Sequence, residues 1–186
     1  MDARSIDSAV LRVSSILTAL SLPHHLTGGL VASYYGEPRY TMDIDFAVSL
    51  PLGHRNLPAL IDALVETFDI DLESSQESLR SHGMFQALDK LSAYKIDFHS
   101  RELVPGELLR SVNVEIFEGV TVPIASLEDF IMSKLIWWTM GSEKSWKDAV
   151  SALRVQKSTS VSMLKSLAQQ LDLSSELTRL LEAAGL

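Results

Sequence analysis

Apolar residues set the first pattern. Ile6, Val10, Val13, Leu17 and Leu20 recur at intervals of three and four, which predicts an amphipathic helix over residues 5–20. Pro23 ends it, and residues 24–27 read as a short strand delivering Gly28. Residues 30–35 then predict about two turns of helix, with Gly36 as its C-terminal cap. Here the period changes to two. Met42, Ile44 and Phe46 alternate with polar positions, which predicts a strand with those three side chains in the core.

A loop over residues 49–56, punctuated by Pro and Gly, separates this strand from a helix over residues 58–68. Leu60, Ile61, Leu64, Val65 and Phe68 share one face of it. A short strand over 70–72 and a polar helix over 74–81 follow, then strands over 84–88 and 93–99 joined by a tight connection. A short helix over 103–112 precedes two strands, 114–117 and 120–122, around Glu118-Gly119. Beyond Ser126 the spacing is helical: Leu127, Phe130, Ile131, Lys134, Leu135 and Trp138 form one series. Three more helices are predicted over 146–155, 161–171 and 174–184, the last two with a leucine core. The fold class is α/β (α+β): a mixed β-sheet flanked by helices over residues 1–123, then a small C-terminal helical bundle over 124–186.

Composition narrows the class. The chain has 186 residues, 46% hydrophobic, enough for one good-sized core. It has no cysteine, so neither disulfides nor cysteine-based zinc sites are available. No signal peptide is visible, and no apolar run reaches the ~18 residues of a membrane span. A cytoplasmic protein without membrane attachment is the expectation. The formal charge of −8, from 16 basic and 24 acidic residues, disfavours loose, non-specific nucleic-acid binding. A local basic patch could still hold an RNA, and cationic small molecules are better tolerated.

The chemistry concentrates in residues 26–48. Asp43 and Asp45 are two apart on the predicted strand and so share a face. Two carboxylates side by side repel unless a cation or proton lies between them, which argues for a divalent metal, Mg²⁺ suiting carboxylates that share phosphate oxygens. Gly29, opening a helix, offers bare backbone N–H groups and a positive dipole end to phosphate. Lys95, Asp97 and His99 repeat the alternation on another strand. Asp97 could equally pair with Lys95 or Arg101 on a solvated face. His24 and His25 face opposite sides of a strand and cannot easily chelate one ion together. Lys134, among apolar helical positions, either snorkels to the surface or reaches a phosphate. Trp137, Trp138 and Trp146 are core residues or base-stacking surfaces.

The Gly28-Gly29 pair at a helix start, followed by Asp43-x-Asp45 on the next strand, resembles the nucleotidyltransferase superfamily. The run Arg39-x-Thr41-x-Asp43-x-Asp45 is similar to one common in its AbiEii/AbiGii toxin-like (abortive-infection) branch. A strand ending in Val122-Pro123, then Ala125-Ser126-Leu127-Glu128-Asp129 and Lys134-Leu135, carries the same resemblance, as does Lys147-Asp148. Two positions depart from it: Ser145 stands where an arginine is frequent, although Lys144 is adjacent, and Ser151 where a second aspartate is expected. The resemblance covers most of residues 24–155.

The resemblance implies a nucleotidyltransferase-like fold and transfer of an NMP from an NTP to an acceptor hydroxyl, with release of pyrophosphate. Asp43, Asp45 and Asp97 would hold two Mg²⁺ (or Mn²⁺) ions. Gly28, Gly29, Arg39, Thr41 and Lys134 would bind the nucleotide, Lys134 balancing charge on the leaving pyrophosphate. Asp148, or Asp97, would take the acceptor's proton, unless Asp148 is an ordinary helix-start carboxylate. The acceptor could be tRNA, a protein or a small molecule, and an antitoxin partner is implied if the chain is the toxin of a toxin–antitoxin or phage-defence pair. The alternative is a catalytically degenerate nucleotide-binding or protein-interaction member of the same fold, supported by Ser145 and Ser151.

Overall fold

A ladder of phenylalanines decides which way the sheet faces. In the computed structural model, which describes residues 2–50, 55–81 and 83–186, β1 (His24–Thr27), β2 (Asp43–Val48), β4 (Met84–Asp89) and β5 (Lys95–His99) form the middle of one sheet. Phe46 of β2 is in register with Phe98 of β5, and Phe98 with Phe85 of β4. Their rings stack, Phe85 on Phe98 at 4.6 Å and Phe46 near Phe98 at 6.4 Å, and all three are fully buried. Side chains alternate across a sheet, so burying this row commits Asp45, Asp97 and Gln86 to the opposite face. A slip of one residue would put the carboxylates in the core. The burial of three aromatic rings forbids it.

The sheet is completed by β3 (Phe68–Asp69), β6 (Val112–Phe117) and β7 (Val120–Ile124), in the order β3-β4-β5-β2-β1-β7-β6. It is mixed: β2 pairs with β5 and β1 with β7 in parallel, whereas β1–β2, β4–β5, β3–β4 and β6–β7 are antiparallel. Around it lie α1 (Ile6–Ala19), α2 (Gly28–Tyr35), α3 (Leu57–Val65) and α4 (Leu72–Ser81). The remaining helices, α5 (Leu127–Thr139), α6 (Glu143–Val155), α7 (Val161–Gln170) and α8 (Ser174–Ala184), follow the last strand. Val10, Val13 and Leu17 of α1, Ile131 and Leu135 of α5, and Leu164 and Leu180 of the last helices all belong to one continuous core. No helix among the described residues is long and apolar enough to cross a membrane.

Several boundaries differ from expectation, each for a physical reason. α2 begins at Gly28, two residues earlier than the apolar pattern suggests, because polar or small N-terminal turns carry no hydrophobic signal. Gly36 is extended (φ −119°) and is not a left-handed cap; a Cβ there would lie 2.6 Å from Ser151 Oγ, so close packing of α6 is what calls for glycine. Met42 precedes β2 and is 45% exposed, outside the core. The helix expected over 58–68 stops at Val65, and Phe68 instead buries itself from β3, taking the place of the strand expected over 70–72. Of residues 103–112 only Glu107–Arg110 are helical, as a single 3-10 turn, and Val112 already belongs to β6. α6 starts at Glu143, with Ser142 Oγ accepting the Ser145 N–H, so its first turn precedes the first apolar residue, Trp146. Four of the residues in the loop expected over 49–56, at 51–54, lie outside the described residues.

The start of α5 is fixed by a side-chain cap and a buried ion pair. Ser126 Oγ accepts the Asp129 N–H, and Asp129 is fully buried against Arg110, whose Nη2 and Nε approach it at 2.6 and 3.0 Å. Removing the guanidinium strands a buried carboxylate. We expect Arg110→Ala to lower the unfolding free energy by about 3 kcal/mol, measured as a shifted urea midpoint with an unchanged slope.

Candidate active site

The polar face of the β2–β5 pair carries a row of carboxylates. Parallel register sets Asp43 beside Lys95, Asp45 beside Asp97 and Ala47 beside His99. Lys95 Nζ lies 3.2 Å from both Asp43 Oδ1 and Asp97 Oδ2, so the pairing weighed for Asp97 is present. Gln86 Nε2 donates to the other Asp97 oxygen at 2.9 Å. Burial pushes the Asp97 carboxyl up, and the attraction of Lys95 does not fully reverse it. Asp45 behaves oppositely: burial raises it, but His99, Lys134 and the Gly29 N–H outweigh that and hold it below its ordinary value.

Asp45 is also what the glycine pair accommodates. Gly28 has φ +66°, and a Cβ there would stand 1.9 Å from Asp45 Oδ2. The Gly29 N–H points at the same oxygen, 3.4 Å away, and a Cβ at Gly29 would meet Thr41 Oγ1 at 2.6 Å. The first turn of α2 therefore lies against the carboxylate strand with no side chain between them. This helix start borders a cleft of about 210 Å³ lined by Gly28, Gly29, Asp43 and Asp45.

Across that cleft stands an ion cluster from three separate segments. Arg39, in the loop before β2, binds Asp148 of α6 through two parallel bonds, Nε to Oδ1 and Nη2 to Oδ2, both 2.8 Å. Lys134 of α5 approaches the same carboxylate at 3.1 Å. Lys134 is 7% exposed, so it does not snorkel out; burial draws its ammonium below the ordinary range despite Asp148 and Asp45. Burial raises the Asp148 carboxyl, yet Arg39 and Lys134 together bring it below its usual value. Asp148 is the sixth residue of α6, a full turn past the helix start, so the dipole does not explain its place.

A family model described as the nucleotidyl transferase AbiEii toxin of type IV toxin–antitoxin systems matches residues 19–150. The chain belongs to the AbiEii nucleotidyltransferase family. Solved structures share its fold. Antibiotic-resistance factor ANT(2'')-Ia superposes with a TM-score of 0.59 at 14% identity, covering 93% of this chain and 94% of that one. Lincosamide antibiotic adenylyltransferase LnuA, bound to lincomycin, gives 0.53 at 10% identity, over 82% of this chain and 99% of that one. A nucleotidyltransferase-like protein from Paracoccidioides brasiliensis gives 0.53 at 18%, over 92% of each. Comparison with curated proteins gives no match.

Within this nucleotidyltransferase, the two serines that depart from the family pattern have structural partners. Ser151 Oγ accepts the Glu37 N–H at 2.7 Å, and Ser145 bonds through its hydroxyl to Ser142 at the α6 cap while lining the cleft beside Lys144. Thr41 and Arg39 line the cleft; Asp97 does not. Trp138 packs on Trp146 at 4.4 Å, whereas Trp137 borders the cleft, edge-on to His99. His24 bonds to Ser14 and His25 to Ser111, in separate surroundings, and burial pushes the His25 imidazole down to about 4. Among the described residues, no three His, Cys, Asp or Glu side chains stand together as a metal-binding group. The donors that do face the cleft, Asp43 and Asp45, still suit Mg²⁺, which commonly takes one or two carboxylates and completes its shell with water and substrate phosphate.

Sequence reasoning missed Glu107. It lines the cleft at 3% exposure and accepts the Leu103 N–H at 2.8 Å. Burial pushes its carboxyl up to about 7 from 4.5, with Asp129 and Glu102 adding to the rise. No motif marks it, because its burial is created by a turn that carries no periodicity. The folded state holds this proton more tightly than the unfolded chain, so stability falls as pH rises from about 4.5 to about 7. Glu107→Gln should remove that slope and make the protein about 1–3 kcal/mol more stable than wild type at pH 8, read from urea unfolding at several pH values.

Proposed function

We propose that this nucleotidyltransferase moves an NMP from a Mg²⁺- or Mn²⁺-bound NTP to an acceptor hydroxyl and releases pyrophosphate. The observation that carries the proposal is one cleft with two carboxylates on β2, a side-chain-free helix start beside them and two cations opposite. Transfer of this kind asks the protein for positioning and charge neutralisation more than covalent chemistry. Bound to Asp43 and Asp45, the divalent ion would supply Lewis-acid polarisation and neutralise triphosphate charge.

Each residue then has a task. Gly28 and Gly29 let backbone N–H groups approach phosphate oxygens, with the α2 dipole adding positive potential. Lys134 and Arg39 face the phosphates and balance the charge that builds on the leaving pyrophosphate. Thr41 buttresses Gly29. Asp148 has both oxygens engaged by Arg39 and Lys134, so we assign it to aiming those cations rather than to accepting a proton. The sheet-bearing part of the chain supplies the metal and backbone side of the cleft, and the helices that follow β7 supply Lys134 and Asp148. The family name points to a toxin with an antitoxin partner, one fold neighbour is a lincosamide antibiotic adenylyltransferase, and another, the antibiotic-resistance factor ANT(2'')-Ia, is solved in complex with adenylyl-2''-tobramycin. The acceptor is accordingly a tRNA, a protein or a small molecule, and the protein acts in the cytoplasm. The degenerate alternative has only Ser145 and Ser151 in its favour, and both have structural roles here.

Titration calorimetry with Mg²⁺ and each non-hydrolysable NTP tests the reading. Wild type should bind one nucleotide only with Mg²⁺ present, and Asp43→Ala/Asp45→Ala should abolish this while remaining folded. Absence of binding at millimolar NTP by folded wild type would overturn it. Lys134→Met should bind nucleotide but turn over at least ~100-fold more slowly, as expected when one charge stabiliser of the transition state is removed.

A further inference from the structure

We infer that the Lys95 ammonium fills the place of a second divalent cation, so that this enzyme binds one metal ion where the superfamily resemblance implies two. The inference rests on the metal-dependent reading above and specifies its stoichiometry. Lys95 Nζ stands between Asp43 and Asp97, 3.2 Å from an oxygen of each. That is the position a metal shared by β2 and β5 would take. The register puts it there: Lys95 is the direct partner of Asp43, and Asp97 the next same-face residue on its own strand.

Asp97 is committed as well. One oxygen takes Lys95 and the other the Gln86 amide at 2.9 Å, and its side chain is 11% exposed. It does not line the cleft, whereas Asp43 and Asp45 do. Among the described residues no trio of ligand-type side chains converges. An ion bound to the two oxygens that hold Lys95 would lie within roughly 5 Å of Nζ, given Mg–O bonds of about 2.1 Å, and like charges that close repel strongly. With Lys95 set on Asp43 Oδ1 and Asp97 Oδ2, the other Asp43 oxygen and the Asp45 carboxylate remain for a single divalent ion. Lys95 is a positioning residue: it neutralises Asp97 and orients Asp43 toward the cleft.

The test counts Mn²⁺ bound per chain by electron paramagnetic resonance, with saturating α,β-methylene ATP or GTP. Wild type should hold one ion, Lys95→Met two, and Lys95→Arg one again. Asp97→Asn should leave the wild-type count unchanged. Two ions in wild type, a count that falls in Asp97→Asn, or a single ion in Lys95→Met would each overturn the inference while leaving the metal-dependent site intact. Folded protein that retains no Mn²⁺ in any form would overturn the metal-dependent reading, and this inference with it.

Discussion

The cleft depends above all on the two parallel bonds between Arg39 and Asp148. They join a loop that sequence places beside the carboxylate strand to a helix more than a hundred residues later. Charge-assisted, bidentate pairs hold both distance and angle, which a single contact does not. Lys134 completes the cluster with a third charge, leaving one net positive charge facing the carboxylates. Were Asp148 lost, two cations would be left without their counter-ion, Lys134 among them buried, a costly arrangement in a low-dielectric site. Neighbouring bonds brace the same joint. Ser33 Oγ accepts the Arg39 N–H and donates to its carbonyl, Ser151 receives Glu37, and Gln156 reaches the Tyr35 carbonyl. The C-terminal end of the helix that opens with Gly28 is therefore tied to α6.

Electrostatics sets the cleft apart from the rest of the chain. The whole chain carries −8, yet Arg39, Arg101, Lys134 and Lys144 all line the one cleft that holds Asp43 and Asp45. Asp43, Asp45, Glu107 and Asp148 line it too, so four cationic side chains stand among four carboxyl groups, and the cleft sets charges of both signs close together. Burial sharpens the contrast. Asp45 and Asp148, beside basic partners, are held below the ordinary carboxylate range, while burial pushes Glu107 and Asp97 above it. Carboxylates of one chemical type thus take up different protonation tendencies because their neighbours differ.

Much of the fold and part of the site were legible in the sequence, and the division follows interaction range. Alternation over Ile44 and Phe46 required Asp43 and Asp45 to share a polar face, a purely local consequence of strand geometry. The Ser126 cap, the long helical series from Leu127 and the Gly28-Gly29 pair at a helix start were local in the same sense. Short elements were less legible. Phe68 fitted a helical series, but packing drew it into a two-residue strand, and the 3-10 turn at Glu107 had no period to announce it.

The sequence alone thus determined most of the longer strands and helices, which faces are polar, and that a carboxylate pair on a strand follows a helix start marked by two glycines. Only the tertiary structure decided the partners. It placed Lys95 between Asp43 and Asp97, bound Asp148 to Arg39, kept Lys134 inside and turned Glu107 into the cleft. Periodicity is written into neighbouring residues because backbone geometry repeats every two or 3.6 positions. Strand register and ion pairing across a hundred residues are set by which distant surfaces pack together, and no local pattern encodes that choice.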